Sequence, residues 1–299
     1  MDKALLKGIV VPIITPIDGN EQVNEEKLRR QVDFVIRGGV SGILAFGSNG
    51  EFYMTEEDEQ ERVLGIILDQ TDGRVPVFQG IGAISTRKCI RIADMAQRLG
   101  ADAISILQPM FLKPTEEELY RHFRSIAESV PDMSVLLYNN PGRTGYTMSG
   151  DLVERLAHET TNIIGMKDSS GDMTQTAEFI RRNRDVGFKV FGGKDTLIYS
   201  AMCLGAAGSV CTTANFIPEL ICSIYDAYVS GDLAGSLELQ FRLNPIRLAM
   251  DKSSFPVATK DYCNLLGLDV GLPYLPNLPA GGAGRQALVE ELTKAGYLQ

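Results

Sequence analysis

The sequence predicts an α/β fold, a (β/α)8 TIM barrel followed by a C-terminal helical extension. Short runs rich in Val, Ile and Leu recur eight times, and each precedes a longer segment with helical periodicity. The runs are apolar almost throughout rather than at every second residue, which is typical of parallel strands covered by helices. Repeats of roughly 20 to 35 residues match the size of such a barrel. The runs begin near Gly8, Gly42, Val75, Ala103, Ser134, Asn162, Lys189 and Gly208.

Glycines mark the predicted connections from helix to strand. Residues 38–39, Gly100 and Gly205 each end a helical segment shortly before an apolar run. A glycine suits this place because a helix often ends in a left-handed residue. A doubly wound open sheet is the competing architecture, but no dinucleotide-binding glycine fingerprint follows the first run. The sequence therefore favours the closed barrel.

The last part of the chain has a helical pattern. We expect the eighth barrel helix after about residue 216, followed by two or three further helices. The prolines and glycines of residues 272–282 predict a loop. We accordingly divide the chain into a barrel that carries the functional site, residues 1–225, and a helical extension, residues 226–299.

The overall charge argues against some classes of partner. The formal net charge is -9 and the 29 Lys and Arg residues are scattered, so we expect no nucleic-acid binding. No apolar stretch is long enough to span a bilayer, and residues 1–8 lack a basic and apolar leader. We therefore expect a cytoplasmic protein with no membrane partner. An anionic substrate would need local cations.

The cysteines and histidines narrow the possible chemistry. Five cysteines without a C-x-x-C pair are typical of reduced core thiols, not of a disulfide framework or a zinc site. His122 lies in a helical surface pattern, and His158 lies near the end of another helix, where the helix dipole favours a cation. We interpret both as structural or solvated. A Ser-His-Asp triad and a histidine-bound metal therefore have little support, and we expect no metal.

Lys167 is the most informative residue of the chain. It ends the apolar run that begins near Asn162 and precedes a small turn containing Gly171. Burial behind apolar residues disfavours an ammonium, and a neutral amine can attack a carbonyl carbon. In a barrel, functional groups project from the C-terminal ends of the strands. The position of Lys167 therefore predicts Schiff-base chemistry.

Other strand ends carry further candidate groups. Residues 47–51 (GSNGE) form a turn whose backbone N–H groups and Ser48 hydroxyl suit a carboxylate, although an ordinary turn with Glu51 near the next helix is an equal alternative. Tyr138 is either a packed core residue or a proton shuttle. Arg143, in the loop beyond, is either a bidentate carboxylate clamp or a solvated charge. Taken singly, none of these residues decides between its alternatives.

Together, in this order along the chain, the motifs resemble the pyruvate-dependent class I aldolase and lyase family that includes dihydrodipicolinate synthase and N-acetylneuraminate lyase. The resemblance implies that Lys167 forms an imine with a 2-oxo acid such as pyruvate and that Tyr138 moves protons. It implies that the backbone amides of Ser48 and Asn49 hold the pyruvate carboxylate, with the Ser48 hydroxyl linked to Tyr138. The Val210 carbonyl would face the bound pyruvate. Because the protonated imine withdraws electrons, no cofactor is needed.

Two positions depart from the lysine-biosynthetic members of this family. Those members usually have a threonine pair where this chain has Ser48 and Asn49. They also have a tyrosine that reaches into the neighbouring subunit's site, and Phe111 stands at the position expected for it. A phenyl ring cannot relay protons. By contrast, Arg143 matches the synthase arginine that binds the carboxylate of aspartate semialdehyde.

The first hypothesis is therefore an aldolase that cleaves or forms a 4-hydroxy-2-oxo acid from pyruvate and an aldehyde that bears a carboxylate. The motifs GSNGE and GMKDSSGD favour it, because they are most similar to those of 4-hydroxy-2-oxoglutarate and keto-deoxy sugar acid aldolases. The alternative is dihydrodipicolinate synthase, which condenses pyruvate with aspartate semialdehyde. A non-catalytic barrel that binds a 2-oxo acid is the alternative from another class. The resemblance also implies a homo-oligomer, either a dimer or a tetramer.

Overall fold

In a computed structural model, which describes residues 6–299, parallel strands close into a barrel in which each strand pairs with the next and the eighth pairs with the first. This confirms the predicted (β/α)8 architecture. The strands are β1 Gly8–Pro12, β2 Gly42–Ala45, β3 Val77–Ile81, β4 Ala103–Leu107, β5 Ser134–Asn139, β6 Ile163–Asp168, β7 Lys189–Gly192 and β8 Gly208–Val210.

Helices separate the strands and continue beyond the barrel. Those between the strands, with the short α5 beside the barrel mouth, are α1 Glu25–Arg37, α2 Glu57–Thr71, α3 Thr86–Leu99, α4 Glu116–Ser129, α5 Pro141–Thr144, α6 Gly150–Glu159, α7 Met173–Asn183 and α8 Ile198–Cys203. The remaining helices are α9 Pro218–Val229, which follows β8, then α10 Leu233–Ala249, α11 Val257–Leu265 and α12 Gly282–Lys294. The boundary predicted after residue 225 lies inside α9, because the eighth barrel helix continues to Val229.

Local sequence signals explain several helix ends. Thr115 and Glu118 form a capping box at the start of α4, in which each side chain bonds the other residue's backbone N–H. Asp172 caps α7 through the N–H groups of residues 174 and 175. Gly100 ends α3 with φ of +88°, the left-handed conformation expected from the sequence.

Two strands begin later than the apolar runs suggested. β3 begins at Val77 rather than Val75, because Pro76 has no N–H to donate to a neighbouring strand. β6 begins at Ile163 rather than Asn162. The side-chain amide of Asn162 instead donates to the carbonyl oxygens of Ala127, Val130 and Met133, which joins the end of α4 to β6.

The register between β5 and β6 is irregular at its start. Val135 lies opposite Ile163, but the next residue, Leu136, lies opposite Gly165, so β6 contains one extra residue there. The close approach requires a glycine, because a Cβ on Gly165 would lie 2.5 Å from the carbonyl oxygen of Lys189. Beyond this point the two strands run in register to their C-terminal ends.

The barrel interior is a separate apolar cluster at the floor of the functional site. It consists of Leu6, Val10, Leu44, Phe78, Ala103, Leu136, Ile164, Phe191 and Val210. A larger core fills the space between the barrel and its helices. Among residues 6–299, no helix is both long and apolar enough to cross a membrane. The predicted loop is confirmed as far as Gly281, since α12 begins at Gly282.

Two expectations about exposure were wrong, namely that all the cysteines are core thiols and that His122 lies on the surface, although its structural role fits the prediction. Cys203 is exposed at the end of α8, whereas the other cysteines are buried as predicted. His122 is buried, because helical periodicity places it on the same face of α4 as Leu119 and Phe123. Its Nδ1 lies 2.9 Å from the Thr86 hydroxyl, and burial lowers the pKa of the imidazole to about 4.

His122 should make the protein less stable in acid. Its folded pKa lies below the ordinary value of 6.5, so stability is lost as the pH falls from about 6.5 towards 4. In His122→Gln, the fall in unfolding free energy between pH 7 and pH 4.5 should be about 2 kcal/mol smaller than in the wild type. Urea unfolding at the two pH values measures this difference.

His158 provides the matched control, because its shift has the opposite sign. A hydrogen bond with Asp185 raises the pKa of this exposed imidazole. Its stabilising effect is therefore present at low pH and is lost as the pH rises through the raised pKa. His158→Gln should not reduce the acid sensitivity. An equal pH response in the wild type and His122→Gln would contradict the prediction.

Candidate active site

Lys167 and Tyr138 lie side by side at the C-terminal ends of β6 and β5. The parallel register places them directly opposite each other. The Lys167 Nζ lies 4.3 Å from the centroid of the Tyr138 ring, and each side chain is only 6% exposed. The Lys167 amine and the Tyr138 phenol are therefore adjacent at the mouth of the barrel, and both are largely shielded from water.

The pKa of the Tyr138 phenol is lowered. Burial alone would raise that pKa, but the positive charge of Lys167 and hydrogen bonds with Ser169, Asn140 and Lys167 outweigh it. The Asn140 amide donates to the phenol oxygen at 2.8 Å. Such a phenol gives up its proton more readily than an ordinary tyrosine, which suits a group that moves protons.

The floor beneath Lys167 is apolar. Lys167 lines a small cavity of about 20 Å³ together with Val10, Leu44, Phe78, Ser105, Leu136, Phe191 and Val210. Val210 lies at the end of β8 and is 6% exposed, so the structure brings it to the same cavity as the lysine. Water has little access from below, and reagents must approach from the open end of the barrel.

Asp168, the residue after the lysine, is fixed by a buried hydrogen-bond network. Its carboxylate accepts from the Asn139 amide at 2.9 Å and from the Thr176 hydroxyl at 2.6 Å. The Ser170 backbone N–H and hydroxyl also donate to it. These contacts hold the end of β6 to β5 and α7, and thereby fix the backbone that carries Lys167.

The turn after β2 leaves two backbone donors without acceptors. Residues 48–50 form a single turn of 3₁₀ helix, in which Gly50 N–H bonds the Gly47 carbonyl and Glu51 N–H bonds the Ser48 carbonyl. The N–H groups of Ser48 and Asn49 have no carbonyl partner within residues 6–299, as expected for the start of a helix. Two adjacent N–H groups can hold one carboxylate.

The side chains of this turn have other partners. The Asn49 amide donates to the Thr212 hydroxyl at 2.9 Å and accepts from the Thr259 hydroxyl at 3.0 Å, so it anchors the turn. The expected link between the Ser48 hydroxyl and Tyr138 is not formed in the described part of the chain. Tyr138 instead interacts with Asn140 and Ser169.

Glu51 immediately precedes a second 3₁₀ turn, residues 52–54, so it does lie at the next helix start, but its side chain forms no cap there. α2 begins at Glu57, and Glu51 instead lies fully buried against Lys260 of α11. This partner, together with Asn140 and Ser169 beside the phenol, escaped the sequence reasoning. Asn140 and Ser169 lie in the same sequence motifs as Tyr138 and Lys167, so those motifs could have indicated them. No periodicity or spacing links Lys260 to the turn.

Arg143 lies in α5 with its guanidinium exposed. Its Cζ is 4.7 Å from the centroid of the ring of Phe255, a residue in the segment that precedes α11. Its charge also acts on the Tyr53 phenol. Among the described residues it forms no ion pair with a carboxylate, so the guanidinium is available to a ligand.

Phe111 is not part of this chain's own cavity. It lies between β4 and α4, is 97% exposed, and has φ of +73°, which is uncommon for a residue with a side chain. The neighbouring Leu112 is 45% exposed. The ring therefore projects from the surface and not towards the chain's own Lys167.

Comparison with known proteins identifies close relatives. Residues 5–295 match the sequence profile of the dihydrodipicolinate synthetase family. The 4-hydroxy-tetrahydrodipicolinate synthase of Methanopyrus kandleri is 35% identical over 98% of this chain and 97% of its own length. That of Pelobacter propionicus is 37% identical over 98% of this chain and all of its own length. A crystal structure of dihydrodipicolinate synthase from Acinetobacter baumannii, complexed with pyruvate, is 32% identical with a TM-score of 0.94, covering 98% of this chain and 100% of that one.

The lowered pKa of Tyr138 should depend on Lys167. In Lys167→Ala the positive charge and one hydrogen bond disappear while burial remains, so the phenol pKa should rise above its ordinary value of 10. NMR of protein labelled at the tyrosine Cζ carbon measures the titration, and Tyr138→Phe identifies the signal. The same Tyr138 pKa in the wild type and Lys167→Ala would contradict this account.

Proposed function

The chain belongs to the dihydrodipicolinate synthetase family, and on that premise we propose that it condenses pyruvate with aspartate semialdehyde. It is a carbon–carbon lyase of the pyruvate-dependent class I type. The observation that carries the proposal is the contact between Lys167 and Tyr138, and the turn after β2, at the same end of the barrel, offers backbone donors for a carboxylate. The sequence alone favoured an aldolase for a 4-hydroxy-2-oxo acid, but the similar proteins named above are synthases, so the alternative becomes our first proposal.

The first step is formation of the imine. Lys167 first gives up its ammonium proton to solvent at the barrel mouth. The resulting amine attacks C2 of pyruvate, and Tyr138 carries a proton from the nitrogen to the new alkoxide. The carbinolamine then loses its hydroxyl as water after a second proton transfer, which leaves a protonated imine. A phenol whose pKa lies below the ordinary value is well suited to both transfers, because it exchanges its proton readily in either direction.

The pyruvate carboxylate lies in the turn after β2 in this proposal. The N–H groups of Ser48 and Asn49 donate to it, and hydrogen bonds to a charged acceptor are stronger than neutral ones. In this proposal the carbonyl of Val210 also faces the bound pyruvate. Held in this way, C2 of pyruvate faces the Lys167 nitrogen, and the apolar floor keeps water from competing for the imine.

Carbon–carbon bond formation follows from the imine. Loss of a C3 proton gives an enamine, whose C3 attacks the aldehyde carbon while the aldehyde oxygen takes up a proton. The distal carboxylate of aspartate semialdehyde binds Arg143, which has no protein carboxylate as partner among residues 6–299. The amino group of the adduct then attacks C2 and releases Lys167, which closes the ring.

The second candidate is the aldolase for a 4-hydroxy-2-oxo acid. It is favoured by Phe111, which has no hydroxyl to relay protons where the synthases usually have a tyrosine. The same imine and enamine serve both reactions. They differ only in whether an amino group of the adduct or a water molecule displaces Lys167, so the aldehyde decides between them.

We further propose a homo-oligomer, as a dimer or tetramer, in the cytoplasm. The exposed Phe111 and Leu112, together with the strained backbone at Phe111, support a contact between subunits. The cytoplasmic location stays a prediction from the sequence. A purely ligand-binding barrel is disfavoured, because binding alone would need neither the Lys167 amine nor the Tyr138 phenol.

Borohydride reduction in the presence of pyruvate should attach a reduced pyruvate to Lys167. Peptide mass spectrometry locates the adduct. Lys167→Ala should lose both trapping and turnover, whereas Lys294→Ala, an exposed lysine on α12, should retain both. Tyr138→Phe should slow turnover by about 10²- to 10⁴-fold, as expected on loss of a proton-transfer group. Trapping on another lysine, or none at all, would refute the imine.

Direct assays should identify the aldehyde. We expect turnover of pyruvate with aspartate semialdehyde, and a rise in KM for the aldehyde of about 10-fold or more in Arg143→Ala, because a charged hydrogen-bonding partner is lost. Lys113→Ala, an exposed cation in the loop after β4, is the control. Efficient cleavage of 4-hydroxy-2-oxoglutarate with no synthase activity would favour the second candidate.

A further inference from the structure

A buried ion pair joins the turn after β2 to the C-terminal extension. The Lys260 Nζ lies 2.6 Å from the Glu51 Oε2, and the two side chains are 1% and 0% exposed. Apart from that ammonium, Oε2 has no hydrogen-bonding partner in the described part of the chain. The other carboxylate oxygen accepts from the Tyr274 backbone N–H at 3.1 Å. Each charge therefore depends on the other for its compensation.

A second contact joins the same two elements. The Thr259 hydroxyl donates to the side-chain oxygen of Asn49 at 3.0 Å, and this pair is also buried. Thr259 and Lys260 are adjacent in α11, and they hold Asn49 and Glu51, two residues apart in the turn. Lys260 also donates to the Leu272 carbonyl at 2.9 Å, which fixes the ammonium from the other side.

These contacts are an unusual way to stabilise a protein. Burying a carboxylate and an ammonium removes both from water, and an apolar pair of similar size often stabilises as well or better. In addition, Glu51 has φ of +55°, a conformation that is unfavourable for residues other than glycine. Strain and buried charge at one turn are more often found where geometry serves function.

We propose that Thr259 and Lys260 of α11 are positioning residues, which hold Asn49 and Glu51 so that the N–H groups of Ser48 and Asn49 point at the carboxylate of pyruvate. Neither α11 residue touches the substrate. They act through the turn, whose side chains anchor it, while two of its backbone N–H groups have no acceptor in the described part of the chain. The inference rests on the proposed function for the identity of the ligand.

The segment before α11 supports the same conclusion. Phe255 stacks on Arg143, the residue proposed to bind the distal carboxylate. Residues 255–260 thus contact both proposed carboxylate sites. Phe255 contacts Arg143, and Lys260 contacts Glu51 in the turn proposed to bind pyruvate. The C-terminal extension is in this account part of the active site and not an accessory to the barrel.

Thr259→Val and Thr259→Ser test the positioning role. Valine removes the hydroxyl at nearly constant volume, whereas serine keeps it. The pyruvate concentration that gives half-maximal borohydride trapping should rise about 10-fold in Thr259→Val, on the scale of one weakened charged hydrogen bond, and stay within about 2-fold of the wild type in Thr259→Ser. The trapping rate at saturating pyruvate should change little, because the lysine and tyrosine are untouched.

Lys260→Met tests the ion pair, and Glu51→Gln with Lys260→Met separates positioning from stability. The single variant leaves Glu51 unpaired and should lower Tm. The double variant removes both buried charges and should recover most of the lost Tm. Its half-saturating pyruvate concentration should stay at least about 10-fold above that of the wild type. Recovery of the normal half-saturating pyruvate concentration together with Tm would show that the ion pair is only structural and would refute the positioning role of Lys260.

Tyr262→Phe is the matched control on the same helix. The Tyr262 hydroxyl donates to the Ile246 carbonyl in the core, away from the turn, so its loss should lower Tm without changing half-saturation by pyruvate. Unchanged half-saturation in both Thr259→Val and the double variant, with normal trapping by the wild type, would refute the positioning role alone. Failure of the wild type to trap pyruvate would instead refute the proposed function.

Discussion

The pairing of β5 with β6 is the constraint on which the site depends. Side chains of a strand alternate between the barrel interior and the surrounding helices, so a shift by one residue would turn Lys167 towards the helices. The extra residue in β6 near Gly165 sets the register that places Lys167 opposite Tyr138. The lowered pKa of the phenol, the shielding of the amine and the network around Asp168 all follow from that alignment.

The site concentrates positive charge in an acidic protein. The formal net charge is -9, yet the barrel mouth carries Lys167 and Arg143, and two backbone N–H groups there have no acceptor among residues 6–299. An apolar floor below and polar groups above give a small anion one direction of approach. Under the proposed function, these groups select ligands first by charge and then by the distance between their acidic groups.

The sequence predicted what local patterns determine. The apolar runs identified the strands. The positions of Tyr138 and Lys167 at the ends of consecutive runs predicted that the two residues lie at neighbouring strand ends. The sequence could not predict that Lys260 pairs with Glu51, because the two residues are far apart along the chain and no local pattern links them. His122 was misjudged because its charged neighbours concealed the apolar face of α4. In the proposed function, the choice of aldehyde depends on how Arg143 contacts the substrate and how Phe111 contacts a second subunit, and no local sequence pattern encodes either contact.

The contact between Glu51 and Lys260 also sets an order of events during synthesis. The turn that contains Glu51 leaves the ribosome early, whereas α11 is made after all eight strands. Until residue 260 emerges, the Glu51 carboxylate lacks its counter-charge, and water must solvate it. The turn that contains Glu51 can take its final geometry only after α11 has been made, which is later than every strand of the barrel. Under the proposed function, the carboxylate site is therefore completed later than the strands that carry Lys167 and Tyr138.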